Sequence, residues 1–170
     1  MWVFDATPLI YLAKVNRLDV VEFLDDPRLV PEPVYGEVVD AGLEAGYPGA
    51  RRIERQVDDG VFEVAAVPET SLATRLEDND SLSEADVAVL VCAAERDAVA
   101  VMDEAYGRDV AATEGIDTRG TAYLVLSAVS DGTISVQEGR DIIDKMIDAG
   151  WFCAPDVYTR IVGKLDSFEK

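Results

Sequence analysis

Residues 87–94 read Val-Ala-Val-Leu-Val-Cys-Ala-Ala, eight positions in a row without a polar side chain. A helix drawn through 83–96 has no polar stripe here to turn toward water, so it has to be covered on every side. Any acid it carries is confined to its ends. Ser83 and Asp86 have the spacing of a Ser-x-x-Asp capping box, and Ser81 with Glu84 fits the usual Ser-x-x-Glu form. In either, side chains satisfy free amides of the first turn. An acid on that turn also points toward whatever the neighbouring strand ends enclose.

The segments around this helix alternate in kind. Trp2–Phe4 reads as a first strand, and Thr7-Pro8 as an N-cap with Pro at the first helical position, opening a helix through Ala13. Leu18, Val21, Phe23 and Leu24 suggest a second, short helix, and Leu29-Val30 a second strand stopped by Pro31 and Pro33. Val34, Tyr35, Val38 and Val39 recur at helical spacing, with Glu37 on the same helix. After the turn at 46–49, Ile53 and Val57 lie four apart on a helix that carries Arg51, Arg52 and Arg55. A third strand fits 62–67, and 99–102 is a fourth, ending at Asp103. Ile116 belongs to a fifth, before Gly120-Thr121 starts another helix.

Strands separated by helices imply right-handed parallel crossovers. The expected fold is α/β: a three-layer sandwich with a central parallel sheet of about four to five strands flanked by helices. The carboxyl part reads as helices only, at 136–147 and 155–165 with a stop at Gly150. We expect a single domain over 1–170, with a core at about 1–132. The helical extension at about 133–170 is too short for a core of its own and packs on the sheet.

Charge narrows the class further. The chain has 34 Asp and Glu against 15 Lys and Arg, a formal net charge of −19, and no histidine. Disorder is excluded, because 49% of the residues are hydrophobic and fall in long Val, Leu and Ala segments. With 11 Arg against 4 Lys, the composition suggests adaptation to concentrated salt, where a Debye length of about 3 Å at 1 M screens the self-repulsion. The alternative is an ordinary acidic cytosolic protein. Met-Trp-Val-Phe-Asp is not a signal peptide, and the 87–94 run is far shorter than the roughly 20 residues of a membrane span. A soluble, cytoplasmic protein is expected. Cys92 and Cys153 have no metal-ligand spacing and read as packing residues.

Four acids, Asp5, Glu37, Asp86 and Asp103, sit where hydrophobic segments give way to turns or helix starts. In an open parallel sheet the site forms outside the carboxyl ends of the strands, so acids scattered along the chain can converge there. A carboxylate pocket suits Mg²⁺ or Mn²⁺. Each acid also has a bland role: Asp5 as a cap or turn residue ahead of Thr7-Pro8, Asp86 in the capping box, Asp103 as an N-cap, Glu37 as a solvated surface group. Without histidine, imidazole bases and His-ligated metals are excluded.

Asp5-Ala-Thr-Pro-Leu-Ile-Tyr-Leu-Ala-Lys resembles the opening segment of PIN-domain nucleases, in the branch close to VapC-type toxins. Pro33-Val34-Tyr35-Gly36-Glu37-Val38-Val39 is similar to the helix with the family's second acid, Leu82-Ser83-Glu84-Ala85-Asp86 to the segment with the third, and Val101-Met102-Asp103 to that with the fourth. Gly120-Thr121 resembles a turn common in this branch. The resemblance spans almost the whole chain. It implies a negatively charged pocket for Mg²⁺ or Mn²⁺ and hydrolysis of RNA phosphodiester bonds, in single-stranded or structured RNA.

By that resemblance Asp5 and Asp103 are direct metal ligands, Asp86 is a direct or water-mediated one, and Glu37 orients the attacking water. Thr7 and Thr121 hydrogen-bond the phosphate or position Asp5. Whether Glu84 or Asp86 points inward stays open, with Asp86 favoured. Arg51, Arg52 and Arg55, with Lys14 and Arg17, are the candidate RNA contacts, or else surface arginines paired along their helix with Glu54 and Asp58. A small antitoxin and a homodimer are the expected partners. The competing readings are a catalytically silent PIN-fold scaffold, a phosphatase that would need Asp-x-Asp where Thr7 stands, and a receiver-like domain that would need more acids in the first loop.

Overall fold

Five short strands, β1 (Trp2–Phe4), β2 (Arg28–Pro31), β3 (Glu63–Ala65), β4 (Val99–Val101) and β5 (Thr118–Arg119), form one parallel sheet in the order β3-β2-β1-β4-β5. They come from a computed structural model that describes residues 1–25 and 27–169. The register sets Phe4 opposite Val101 and Val3 opposite both Ala100 and Leu29. Val3, Phe4, Ala100 and Val101 are fully buried, as strands covered on both faces require. Phe4 meets Phe62 edge-to-face at 5.2 Å between ring centres.

The direction in which strands are added reverses at the middle of this sheet. From β1 the chain builds outward through β2 to β3, then returns to add β4 on the other side of β1. Such a switch leaves a crevice outside the carboxyl ends of the two central strands. The residues that follow those strands are Asp5 and Met102-Asp103.

Among the described residues ten α-helices surround the sheet: α1 (Ala6–Lys14), α2 (Glu32–Tyr35), α3 (Ala41–Glu44), α4 (Pro48–Asp58), α5 (Ser71–Glu77), α6 (Glu84–Arg96), α7 (Ala105–Thr113), α8 (Thr121–Ser130), α9 (Val136–Asp148) and α10 (Pro155–Ser167). Among them α6 is the apolar helix, with Ala85 and residues 87–93 buried against β1, β2, β4, α2 and α5. Its solvent end begins one residue early, at Ala94. The carboxyl helices are anchored, not separate: Ile142, Ile143, Met146 and Leu165 join the same hydrophobic cluster as the sheet. Gly139 is the contact point between α9 and α8, where a Cβ would stand 2.6 Å from Val129 Cγ2.

Several local expectations are corrected. Asp5, not Thr7, caps α1, because its Oδ1 accepts the Ala6 N–H at 2.8 Å; Thr7 and Pro8 lie inside the first turn. Pro31 ends β2 instead of stopping it, a place where a missing N–H is tolerated. The segment from Leu18 makes a single 3₁₀ turn (Leu18–Val21). The strand expected at 62–67 is limited to Glu63–Ala65, and α5 follows it where no helix was expected. Ile116 is a buried turn residue ahead of β5, and Glu104, not Asp103, caps α7. Cys92 and Cys153 are free thiols, and no helix among the described residues is long and apolar enough to cross a membrane.

Candidate active site

Asp5 is the first residue beyond β1, and its N–H continues the ladder by donating to Val101 O at 2.9 Å. Only 6% of it is exposed. Burial is the main force on its carboxyl; the Ala6 N–H opposes burial, but the neighbouring charges of Asp86 and Glu37 add to it. The pKa is pushed up from 3.8 to about 7, with Asp86 close enough to share a hydrogen bond. No Lys or Arg is among the groups that act on it. Two carboxyls abut, a third lies within the field of Asp5, and among the described residues no cation acts to compensate.

Asp86 reaches this pair from the first turn of α6. Its Oδ2 accepts the Ser83 N–H and its own N–H donates to Ser83 Oγ, both at 3.0 Å, so the capping box is complete. Capping and contact with Asp5 therefore fall on the same residue. Glu84, two positions earlier, is exposed and is not among the groups that act on Asp5. Glu37 arrives on a π turn (Gly36–Asp40) between α2 and α3, in which Ala41 N–H bonds Gly36 O five residues back. The backbone remains helical through the turn, so Glu37 is exposed while Val38 and Val39 are buried.

Asp103 follows β4, next to β1 in the sheet, at an interstrand spacing of about 4.8 Å. Three donors grip its carboxylate: Thr121 N–H to Oδ1 at 2.7 Å, Thr121 Oγ1–H to Oδ2 at 2.7 Å, and the Trp151 indole N–H to Oδ2 at 3.1 Å. A carboxylate offers about four lone-pair sites, so roughly one is left. Gly120 makes room for it, since a Cβ there would stand 2.9 Å from Oδ1. Thr121 is fully buried and Trp151 is 7% exposed, so the carboxylate is held by rigid partners.

A model of the DUF3368 family, described as a PIN domain, matches residues 1–167. The chain belongs to the PIN-domain family. Among solved structures, a PilT N-terminus domain protein, SSO1118, from the hyperthermophilic archaeon Sulfolobus solfataricus P2 is similar in fold, with a TM-score of 0.54 at 13% identity over 76% of this chain and 94% of that one. No match was found among curated proteins. PIN domains are commonly nucleases and typically bind divalent metals.

The residues of this PIN domain can be tested against such a metal. Among the described residues, no group of three acids is placed to hold one ion in common. The Asp5–Asp86 pair alone nevertheless suits a hard cation, because Mg²⁺ is usually held by one or two carboxylates and keeps several waters. A buried carboxyl driven up to about 7 with no cationic side chain acting on it is a site that a proton or a metal must neutralise. The Asp5–Asp86 pair fits, with Glu37 within the field of Asp5 and Asp103 beyond the end of the adjacent strand β4.

Other expected residues are placed less centrally. Thr7 lies half-buried on the first turn of α1. Arg52 donates from Nη1 to Ala13 O at 2.7 Å, at the end of α1 away from Asp5, and so holds a helix terminus. Arg51 is exposed and sits 4.0 Å from Glu54, and Arg55 shares the same helix. Trp151 was not anticipated. Its signal was present, because a Trp just past Gly150, in an extension lacking its own core, must be buried against the sheet domain and find a partner for its N–H.

Proposed function

We propose that the chain is a divalent-metal-dependent endoribonuclease, and that Asp5 and Asp86 are the residues that hold the metal, Mg²⁺ or Mn²⁺. The observation that carries this reading is the abutting Asp5–Asp86 carboxyl pair at the topological switch of the sheet, unbalanced by any protein cation. When bound, the metal supplies a water that is nucleophilic near neutral pH and a charge sink for the leaving oxygen. Glu37, exposed and within the field of Asp5, orients the attacking water and accepts its proton. Asp103, clamped by Thr121 and Trp151, keeps one lone pair on the β4 side that would accept a hydrogen bond from water in the pocket. The amino ends of α1, α6 and α8 share this side and favour the phosphate electrostatically. A toxin role, with a small antitoxin covering the pocket and a homodimeric assembly, follows from the resemblance of the Asp5-Ala-Thr-Pro-Leu-Ile segment and belongs to this proposal.

The test is cleavage of single-stranded RNA in Mg²⁺ or Mn²⁺ by wild type, Asp5→Asn and Asp86→Asn, with calorimetric Mn²⁺ titration alongside. Both variants should stay folded, lose cleavage by at least 100-fold and bind Mn²⁺ more weakly. Equal cleavage by all three ends the assignment. Absence of cleavage, with Mn²⁺ binding that ignores Asp5, leaves a PIN fold kept as a partner-binding scaffold.

A further inference from the structure

Most arginines of this acidic chain are already engaged. Arg17, Arg51, Arg75, Arg140 and Arg160 are ion-paired with carboxylates, and Arg52 serves a helix end. Arg55 and Arg96 also lack an ion pair among the described residues but lie on α4 and in the last turn of α6, whereas Arg108 and Arg119 stand beside Asp103 and the Gly120 turn. Among the described residues neither has a carboxylate within ion-pairing distance, and both are exposed. Both also reach the Gly120 turn, on the β5 side of the acids. The point that a Cβ on Gly120 would occupy lies 3.3 Å from Arg108 Nη1 and 2.9 Å from Asp103 Oδ1, so this guanidinium borders the clamped carboxylate without pairing to it.

Arg119 ends β5, donates from Nη1 to Thr118 O at 2.7 Å, and stands 5.1 Å over the ring of Tyr123 on the first turn of α8. A guanidinium has five N–H donors, so a single carbonyl leaves most of its fork available. Tyr123 itself is 41% exposed. Two guanidinium groups without a carboxylate partner, beside a partly exposed aromatic ring that Arg119 covers on one face, are the elements that hold a nucleic acid strand by its phosphates and by the face of a base.

We infer that Arg108, Arg119 and Tyr123 form the subsite that holds the RNA strand next to the cleaved bond, with one guanidinium group on each of two neighbouring phosphates and the tyrosine ring under a base; this rests on the ribonuclease reading above. The chain as a whole repels a polyanion at a net charge of −19, so attraction has to come from cations that no acid has neutralised. Single-stranded RNA is the fitting form, because an unstacked base can reach an aromatic ring whereas a paired one cannot. Two phosphate contacts on a single strand give a shallow salt dependence, a log–log slope of about −1.4, and stacking adds none. The subsite therefore keeps working in concentrated salt, where a lysine-rich groove would fail.

The experiment is fluorescence anisotropy of a labelled single-stranded RNA of mixed sequence with the full chain in EDTA, which separates binding from metal-dependent cleavage. Arg108→Gln/Arg119→Gln should weaken binding at least tenfold and flatten the salt slope by about 1.4. Tyr123→Leu should weaken it roughly 5- to 100-fold with the slope unchanged. Arg108→Lys should retain the slope, and none of these variants should bind Mn²⁺ more weakly than wild type. Wild-type affinity and slope in the double variant, in a protein that still cleaves RNA, would overturn the subsite and spare the ribonuclease reading. A wild type that neither binds nor cleaves RNA overturns both. Displacement of RNA by poly-glutamate, together with no effect of Tyr123→Leu, would assign the patch to an acidic polypeptide and overturn the RNA subsite.

Discussion

One carboxyl at Asp5 caps a helix, faces a second acid and is shut away from water. Those demands conflict in a way that pH exposes. Burial raises its pKa to about 7 in the folded protein, with the Asp86 and Glu37 charges adding to the effect. The unfolded chain releases that proton near 4. Between these values the folded state binds more protons than the unfolded one, so metal-free stability falls as pH rises from about 4 to about 7 and levels off above. The loss is on the order of 4 kcal/mol. Asp5→Asn removes the titration, so in EDTA its melting temperature at pH 8 should exceed wild type by several degrees, and the decline with pH should disappear. Thermal denaturation from pH 4 to 8 checks this, and parallel profiles for the two proteins would contradict it. The same proton competes with a bound cation, so Mn²⁺ affinity in wild type should climb as pH passes 7.

At the scale of elements, Asp86 joins two jobs that substitution can separate. Ser83→Ala deletes the hydroxyl that receives the Asp86 N–H and should cost about 0.5–2 kcal/mol of stability, while leaving the carboxylate pair and most of the cleavage intact. Asp86→Asn keeps an oxygen for the Ser83 N–H but removes the charge, so it should spare stability and abolish cleavage. Urea denaturation paired with an RNA cleavage assay tests this; two variants with the same profile would mean that the cap and the site cannot be separated. Asp86 was legible in sequence because both of its signals are local: a Ser three residues before it and an apolar run behind it. Asp5 and Glu37 were legible as acids at element ends. The clamp on Asp103 was not, because its donors lie 18 and 48 residues away, and no short-range pattern reports contacts of that reach. The π turn under Glu37 was equally silent, since its residues have ordinary helical backbone angles on either side.

At the scale of the whole molecule, helices between strands announced a parallel sheet, yet the order β3-β2-β1-β4-β5 was not legible, because it depends on which faces pack together once the chain collapses. That order brings Asp5 and Asp103 to neighbouring strand ends, two of the 34 acids that leave the chain at a net charge of −19. Most of the remaining acids are exposed, where salt screens them; Asp5 is buried and Asp86 partly so, where salt does so far less. Raising KCl from 0.05 to 1 M shrinks the Debye length from over 10 Å to about 3 Å, so stability at a fixed pH of 8 in EDTA should rise and then level off near 1 M. Urea midpoints measured across that range provide the check, and equal midpoints would mark an ordinary acidic protein. If the two electrostatic components are separate as described, the stability lost between pH 4 and 7 should persist in 1 M KCl for wild type and stay absent in Asp5→Asn. A pH slope erased by salt would instead place its origin in the exposed acids.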